Sequence, residues 1–161
     1  MASTYTPIAT TTLGSTATSY TFSSIPATYT DLVLVYSGNQ ASQDNFSLQF
    51  NSDTASNYSV TTMYGNGSVA SSQRFSSASS IYGPILDATT QSNLVAQIPN
   101  YSNATTYKTI VMRGDSTSFR TTATVGLWRS ISAITTIKCQ TLSGGNFNIG
   151  STFSLYGIAA A

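Results

Sequence analysis

Residues 46–53 read Phe46-Ser47-Leu48-Gln49-Phe50-Asn51-Ser52-Asp53. Apolar and polar side chains alternate over five residues, and three turn-forming residues follow. Successive side chains of a strand point to opposite faces, so the pattern predicts a half-buried β-strand closed by a turn. Upstream, Asp31-Leu32-Val33-Leu34-Val35-Tyr36 is apolar at every position after the aspartate. A short run of this kind predicts a central strand covered on both faces.

Outward from these two, strand signals recur at 19–25, 58–64, 68–75, 81–86, 94–98, 107–113, 119–128, 134–142 and 152–158. Gly, Asn, Asp and Pro divide them. Asn66-Gly67 predicts a hairpin turn, because both residues tolerate positive φ, and Ser143-Gly144-Gly145-Asn146 marks another reversal. No stretch keeps the i, i+3, i+4, i+7 apolar spacing of an amphipathic helix, and glutamate, a good helix former, is absent. Short strands at this spacing predict an all-β fold, an antiparallel jelly-roll-like β-sandwich. A chain of 161 residues fits a single domain, since domains commonly run to about 100–200 residues. Residues 19–161 form that domain in this reading. Residues 1–18 are polar and read as an N-terminal arm or a first edge strand, and 71–80 as a loop or edge strand.

Composition narrows the function. Serine and threonine supply 53 of 161 residues, histidine and glutamate are absent, and charged residues make up 7%. General acids and bases are drawn mostly from His, Glu, Asp, Lys, Tyr and Cys. The missing imidazole excludes Ser-His-Asp and Cys-His chemistry, and the five aspartates show no paired spacing. The chain therefore reads as a non-enzyme with no catalytic residue, no cofactor and no metal. Asn51, Asp53 and Asn57 cluster oxygens but bring one carboxylate, whereas calcium takes 6–8 oxygen ligands, several of them carboxylates. An Asx-type turn is the better account. Cys139 shares a strand face with Ile137 and Thr141 and reads as a buried thiol. Arg113-Gly114-Asp115 reads as an ordinary turn rather than an adhesion motif.

Partners are bounded in the same way. Net charge is +1, and none of Arg74, Lys108, Arg113, Arg120, Arg129 and Lys138 is adjacent to another. Phosphate binding needs several such groups together, so no nucleic-acid partner is expected. The most apolar run, 32–36, is far too short to cross a bilayer, so no membrane is expected either. The first residues lack a basic start and apolar run, and the lone Cys139 has no intrachain partner. These features read as synthesis in a reducing cytoplasm. The five Asn-X-Ser/Thr sequons, at Asn45, Asn57, Asn66, Asn100 and Asn103, are expected by chance in so hydroxyl-rich a chain.

Two residue sets remain as binding candidates. In the terminal strand, Phe153 and Leu155 point to one face and Tyr156 and Ile158 to the other. One pair is expected in the core and the other against a neighbouring subunit. Tyr58, Tyr64, Tyr82 and Tyr101 lie near strand ends and could form a ligand or partner patch with Trp128, the only tryptophan. For Trp128 a place in the core is the stronger expectation.

The order of motifs adds a resemblance. Tyr20-Thr21-Phe22-Ser23-Ser24-Ile25-Pro26, Leu48-Gln49-Phe50-Asn51-Ser52-Asp53, Gly126-Leu127-Trp128-Arg129 and the closing Phe153-Ser154-Leu155-Tyr156-Gly157-Ile158 follow one another across 19–158. This order resembles tailed-bacteriophage virion β-sandwich proteins, including capsid decoration (cement) proteins and modules of head or tail fibres. The resemblance implies a structural protein on the virion capsid surface, bound to the major capsid protein and to itself as a homotrimer. Its alternative is a fibre module that binds a receptor or glycan. No coiled-coil or collagen-like shaft is read in the chain, which favours the decoration expectation.

Overall fold

The computed structural model describes residues 4–116 and 120–159. Twelve strands and no helix are found among them: β1 (Tyr5–Thr12), β2 (Ser19–Phe22), β3 (Asp31–Gly38), β4 (Asp44–Phe50), β5 (Tyr58–Gly65), β6 (Ala70–Ala78), β7 (Ile81–Leu86), β8 (Ser92–Pro99), β9 (Lys108–Ser116), β10 (Arg120–Trp128), β11 (Ile137–Thr141) and β12 (Thr152–Ile158). They form two antiparallel sheets, an eight-stranded one in the order β1-β12-β3-β8-β9-β10-β5-β6 and a four-stranded one in the order β2-β11-β4-β7.

The topology becomes simple when the hairpins β5–β6 and β9–β10 are set aside. Eight strands then remain, four in each sheet. The first half of the chain pairs with the second half: β1 with β12, β2 with β11, β3 with β8, β4 with β7. The chain crosses from one sheet to the other at every step. That is the wrapping of a jelly roll, so the all-β sandwich expected from the strand spacing is the observed architecture. The two hairpins are additions, and both join the larger sheet beyond β8.

Aromatic rings fill the space between the sheets. Tyr36 of β3 lies 5.4 Å from Phe46 of β4, 5.0 Å from Phe153 of β12 and 5.5 Å from Phe147. Tyr20 of β2 stacks on Phe153 at 5.3 Å. Two glycines let large groups approach. A Cβ on Gly126 would sit 2.6 Å from Ile81, and one on Gly157 would clash with the Cγ edge of the Tyr29 ring.

Three sequence expectations change. β4 was expected to show a solvent face, yet Ser47 and Gln49 are buried. The bend at 79–80 folds over them: the Ser47 hydroxyl donates to Ser80 Oγ at 2.8 Å and Gln49 Nε2 to the Ser79 carbonyl at 3.0 Å. β3 is central, and the expected covering of both faces holds only in part: no second layer lies over its outer face among the described residues, where Val33 is buried but Val35 only half-buried. In the N-terminal segment, Tyr5–Thr12 pair along β12 as an edge strand, so the edge-strand alternative describes these residues and the free arm does not. Their threonine-rich sequence lacks the alternation that would have marked a strand.

The Tyr29–Gly157 contact gives a test. Gly157→Ala should lower stability by roughly 1–3 kcal/mol through overpacking, read as a lower denaturant midpoint. Adding Tyr29→Ser should recover part of that loss.

Candidate functional site

The sequence-selected aromatics separate into two environments. Tyr58, Tyr101 and Trp128 are buried, at 0%, 0% and 2% exposure. They belong to the core, which corrects the reading of these three as a ligand or partner patch; Trp128 takes its stronger expectation. Trp128 stacks on Tyr58 at 6.3 Å and packs against Phe50 at 5.6 Å. Its indole N–H donates to Asp53 Oδ2 at 2.7 Å. The Tyr58 hydroxyl donates to the Asp53 carbonyl at 3.1 Å and accepts from Phe50 N at 3.1 Å, and burial pushes its pKa up to about 12. Tyr101 donates to the carbonyl of Pro26, 75 residues earlier in the chain. Tyr64 and Tyr82 are half-buried and apart: Arg120 lies over the Tyr64 ring at 4.0 Å, and Tyr82 meets Phe75 edge-on at 5.1 Å. The five residues do not converge.

Asp53 is the hub of this end of the sandwich, with every contact internal. Oδ1 accepts from Ala55 N at 2.9 Å, and Oδ2 accepts from Asn57 Nδ2 at 2.9 Å as well as from Trp128. Burial alone would raise its pKa, but the hydrogen bonds from Asn57, Trp128 and Ala55 outweigh burial and hold it below the usual carboxylate range. Asn51 accepts from the Thr135 and Thr136 amides at 2.9 and 3.1 Å. The Asp53–Ala55 bond is the expected Asx turn, whereas Asn51 ties this loop to the distant 135–136 segment; these oxygens are already engaged by N–H donors.

Other polar candidates are also structural. Lys108 is buried and its Nζ donates to the carbonyls of Thr106 and Ile131 at 2.7 and 3.3 Å; burial lowers its pKa. Cys139 is buried, and burial raises its pKa far above the ordinary thiol value. Arg113-Gly114-Asp115 lies inside β9 rather than in a turn, with Asp115 Oδ1 accepting from Asn93 N at 3.2 Å.

The terminal strand also divides. Phe153 and Leu155 are fully buried in the core, which corrects their place among the subunit-interface candidates. Tyr156 and Ile158 turn to the outer face of the larger sheet and are half-buried there, with Tyr5 meeting Tyr156 edge-on at 6.4 Å.

That outer face is the most distinctive surface of the molecule. Register places Tyr156, Val33, Gln97, Val111, Val125 and Thr61 side by side in one row across six strands. The next row runs Val35, Val95, Arg113, Ala123 and Met63. Val111, Val125 and Met63 are 45%, 47% and 55% exposed. Across β8, β9, β10, β5 and β6 the surface forms an open trough of about 880 Å³, lined among others by Met63, Val95, Arg113 and Ala123. Four of these five strands belong to the added hairpins. Grouped apolar side chains on a surface mark interaction sites, unlike single scattered ones. The sequence held a signal for this face: Ile110-Val111-Met112, like β3, is apolar at both parities. Read as two-sided burial, the signal means one face covered by the chain itself and one left open.

Comparison with known proteins gives no family model that matches the chain and no curated protein that matches it at a significant level. No helix among the described residues is long and apolar enough to cross a membrane.

The Asp53 hub is testable by pH. A native carboxyl held below its ordinary value favours the ionised folded state. Its contribution is full above the unfolded pKa of about 4 and is lost as pH falls through the lower native value. Urea midpoints should therefore decline below pH 4 more steeply in the wild type than in Asp53→Ala. At neutral pH that variant should be less stable by roughly 1–3 kcal/mol, because the buried indole N–H loses its acceptor.

Proposed function

We propose that this chain is a non-catalytic structural protein that works by docking the outer face of its larger sheet onto a protein assembly. The observation that carries the reading is the pair Val111 and Val125, cross-strand neighbours left about half exposed at the middle of an eight-stranded sheet. Their strands already bury their other faces against β7 and gain nothing for the core from outward valines. A partner surface would.

The chemistry of the face supports a protein partner. Its centre sets valines among neutral polar side chains, with Arg113 and Asp115 toward one end, so attachment rests mainly on apolar burial and neutral hydrogen bonds, each worth about 0.5–1.5 kcal/mol net. Such contacts are weakly screened by salt. The motif order that resembles tailed-phage virion proteins makes the assembly a virion and the role that of a capsid decoration protein, held on the shell as a small symmetric oligomer. Tyr156 and Ile158, the interface candidates of the terminal strand, lie on the same face. The fibre-module reading needs exposed aromatics for sugar stacking, and three of its five are core residues.

Particles carrying this chain should retain it through molar salt washes, at a copy number close to that of the shell protein. Val111→Asp with Val125→Asp should abolish attachment while leaving the fold intact, at a total cost in stability of roughly 1–3 kcal/mol from lost strand propensity and the two opposed carboxylates. Release by salt, or a copy number of a few per particle, would sink the decoration reading.

A further inference from the structure

Each sheet of this fold ends in two edge strands, and three of the four are protected against pairing. β1 carries Pro7, which has no N–H to offer, and its ladder shifts register between Pro7 and Ala9. β2 has four residues. β7 carries Pro84, and its ladder with β4 shifts between Asn45 and Ser47. Proline, bulges and short length are the usual means of blocking edge-to-edge association.

β6 has little of this protection. It is nine residues long, contains no proline and a single charge, Arg74, and its first eight residues are exposed. Among the described residues it ends the sheet, paired only with β5. The ladder is regular from Ala70 to Phe75, and its one shift lies at the far end, beside Ser77 with φ 58°.

We propose that β6 is a self-pairing edge, through which two copies of this chain join antiparallel about a two-fold axis into one continuous sheet. The free N–H and C=O groups of alternate residues select another strand as the partner. The side chains select a second copy. With the axis at Gln73, residues sharing a sheet face meet: Ser72 opposes Arg74, and Ser71 opposes Phe75. Arg74 then directly opposes a hydroxyl, with its own copy only at the diagonal position, and the other residues of β6 are uncharged. Like charges directly opposite would oppose pairing, and this register has none. Self-complementary two-fold contacts are also the commonest closed assembly. Ala70 and Ser72 line both the trough and the junction, so pairing places two troughs on one surface. The resulting oligomer is even-numbered, unlike the trimer that the virion resemblance implies. The inference does not depend on the docking function.

Light scattering over a concentration series tests it. The wild type should have twice the mass of one chain, and Gln73→Lys, which sets like charges across the axis, should weaken the dimer at least tenfold, with the same unfolding midpoint as the wild type at concentrations where both are single chains. Gln73→Cys should form a disulfide-linked dimer on mild oxidation. Cys139 is buried and should not contribute, and Ser68→Cys at the hairpin turn should stay single. A wild-type monomer at every concentration would overturn the proposal, as would a dimer that Gln73→Lys leaves intact. Loss of the dimer in Val111→Asp with Val125→Asp, but not in Gln73→Lys, would assign the contact to the sheet face and overturn it equally.

Discussion

The sandwich depends on a layer of aromatic rings that joins its two sheets. Tyr36, Phe46, Phe147 and Phe153 lie within 5.0–6.0 Å of one another in five ring pairs and come from both sheets and a connecting loop. Each pair adds about 0.5–1.5 kcal/mol beyond the area it buries. With only 11 charged residues in the chain, ion pairing contributes little alternative adhesion. The layer also fixes the chain around it. Phe147 exchanges backbone hydrogen bonds with Ala17 at 2.8 and 3.1 Å, which ties the β1–β2 connection to the segment before β12. At the other end of the sandwich, Phe50, Tyr58 and Trp128 repeat the arrangement, with Asp53 as their polar anchor.

Hydroxyls do the work that charges do in most proteins, and they do it inside as well as outside. Thr62 and Thr124 face each other across two strands in the core, with their Oγ1 atoms 3.1 Å apart. Ser47 meets Ser80, and Ser116 donates to Asp87 Oδ2 at 3.2 Å. A neutral hydroxyl is cheaper to desolvate than an ion and can both donate and accept. The fold thereby tolerates a serine- and threonine-rich sequence without leaving it all at the surface.

Jelly-roll closure and surface chemistry are carried by different strands. Eight strands close the wrap; the hairpins β5–β6 and β9–β10 enlarge one sheet beyond it. Those additions hold Val111, Val125 and Met63 on their outer face and β6 at their edge. An elaboration of this kind can change partner without disturbing closure, because its inner face alone is needed by the core.

Much of this was legible from local pattern. The period-two alternation at 46–50, the apolar run at 31–36 and the turn at Asn66-Gly67 gave strands and reversals close to their observed places, since side-chain alternation and positive φ are properties of a few consecutive residues. The separation of Phe153 and Leu155 from Tyr156 and Ile158 was equally local. What covered each face was not. Gln49 is buried because a bend thirty residues away folds over it, and Val111 is exposed because no layer does, although the sequence around Val111 is the more apolar. Tyr58 and Tyr101 looked available for a ligand until their partners, Asp53 and Phe50 for the one and Pro26 for the other, were brought beside them. Alternation is written in the backbone of each strand, but burial is set by which other strand arrives above it, and only the packed chain decides that.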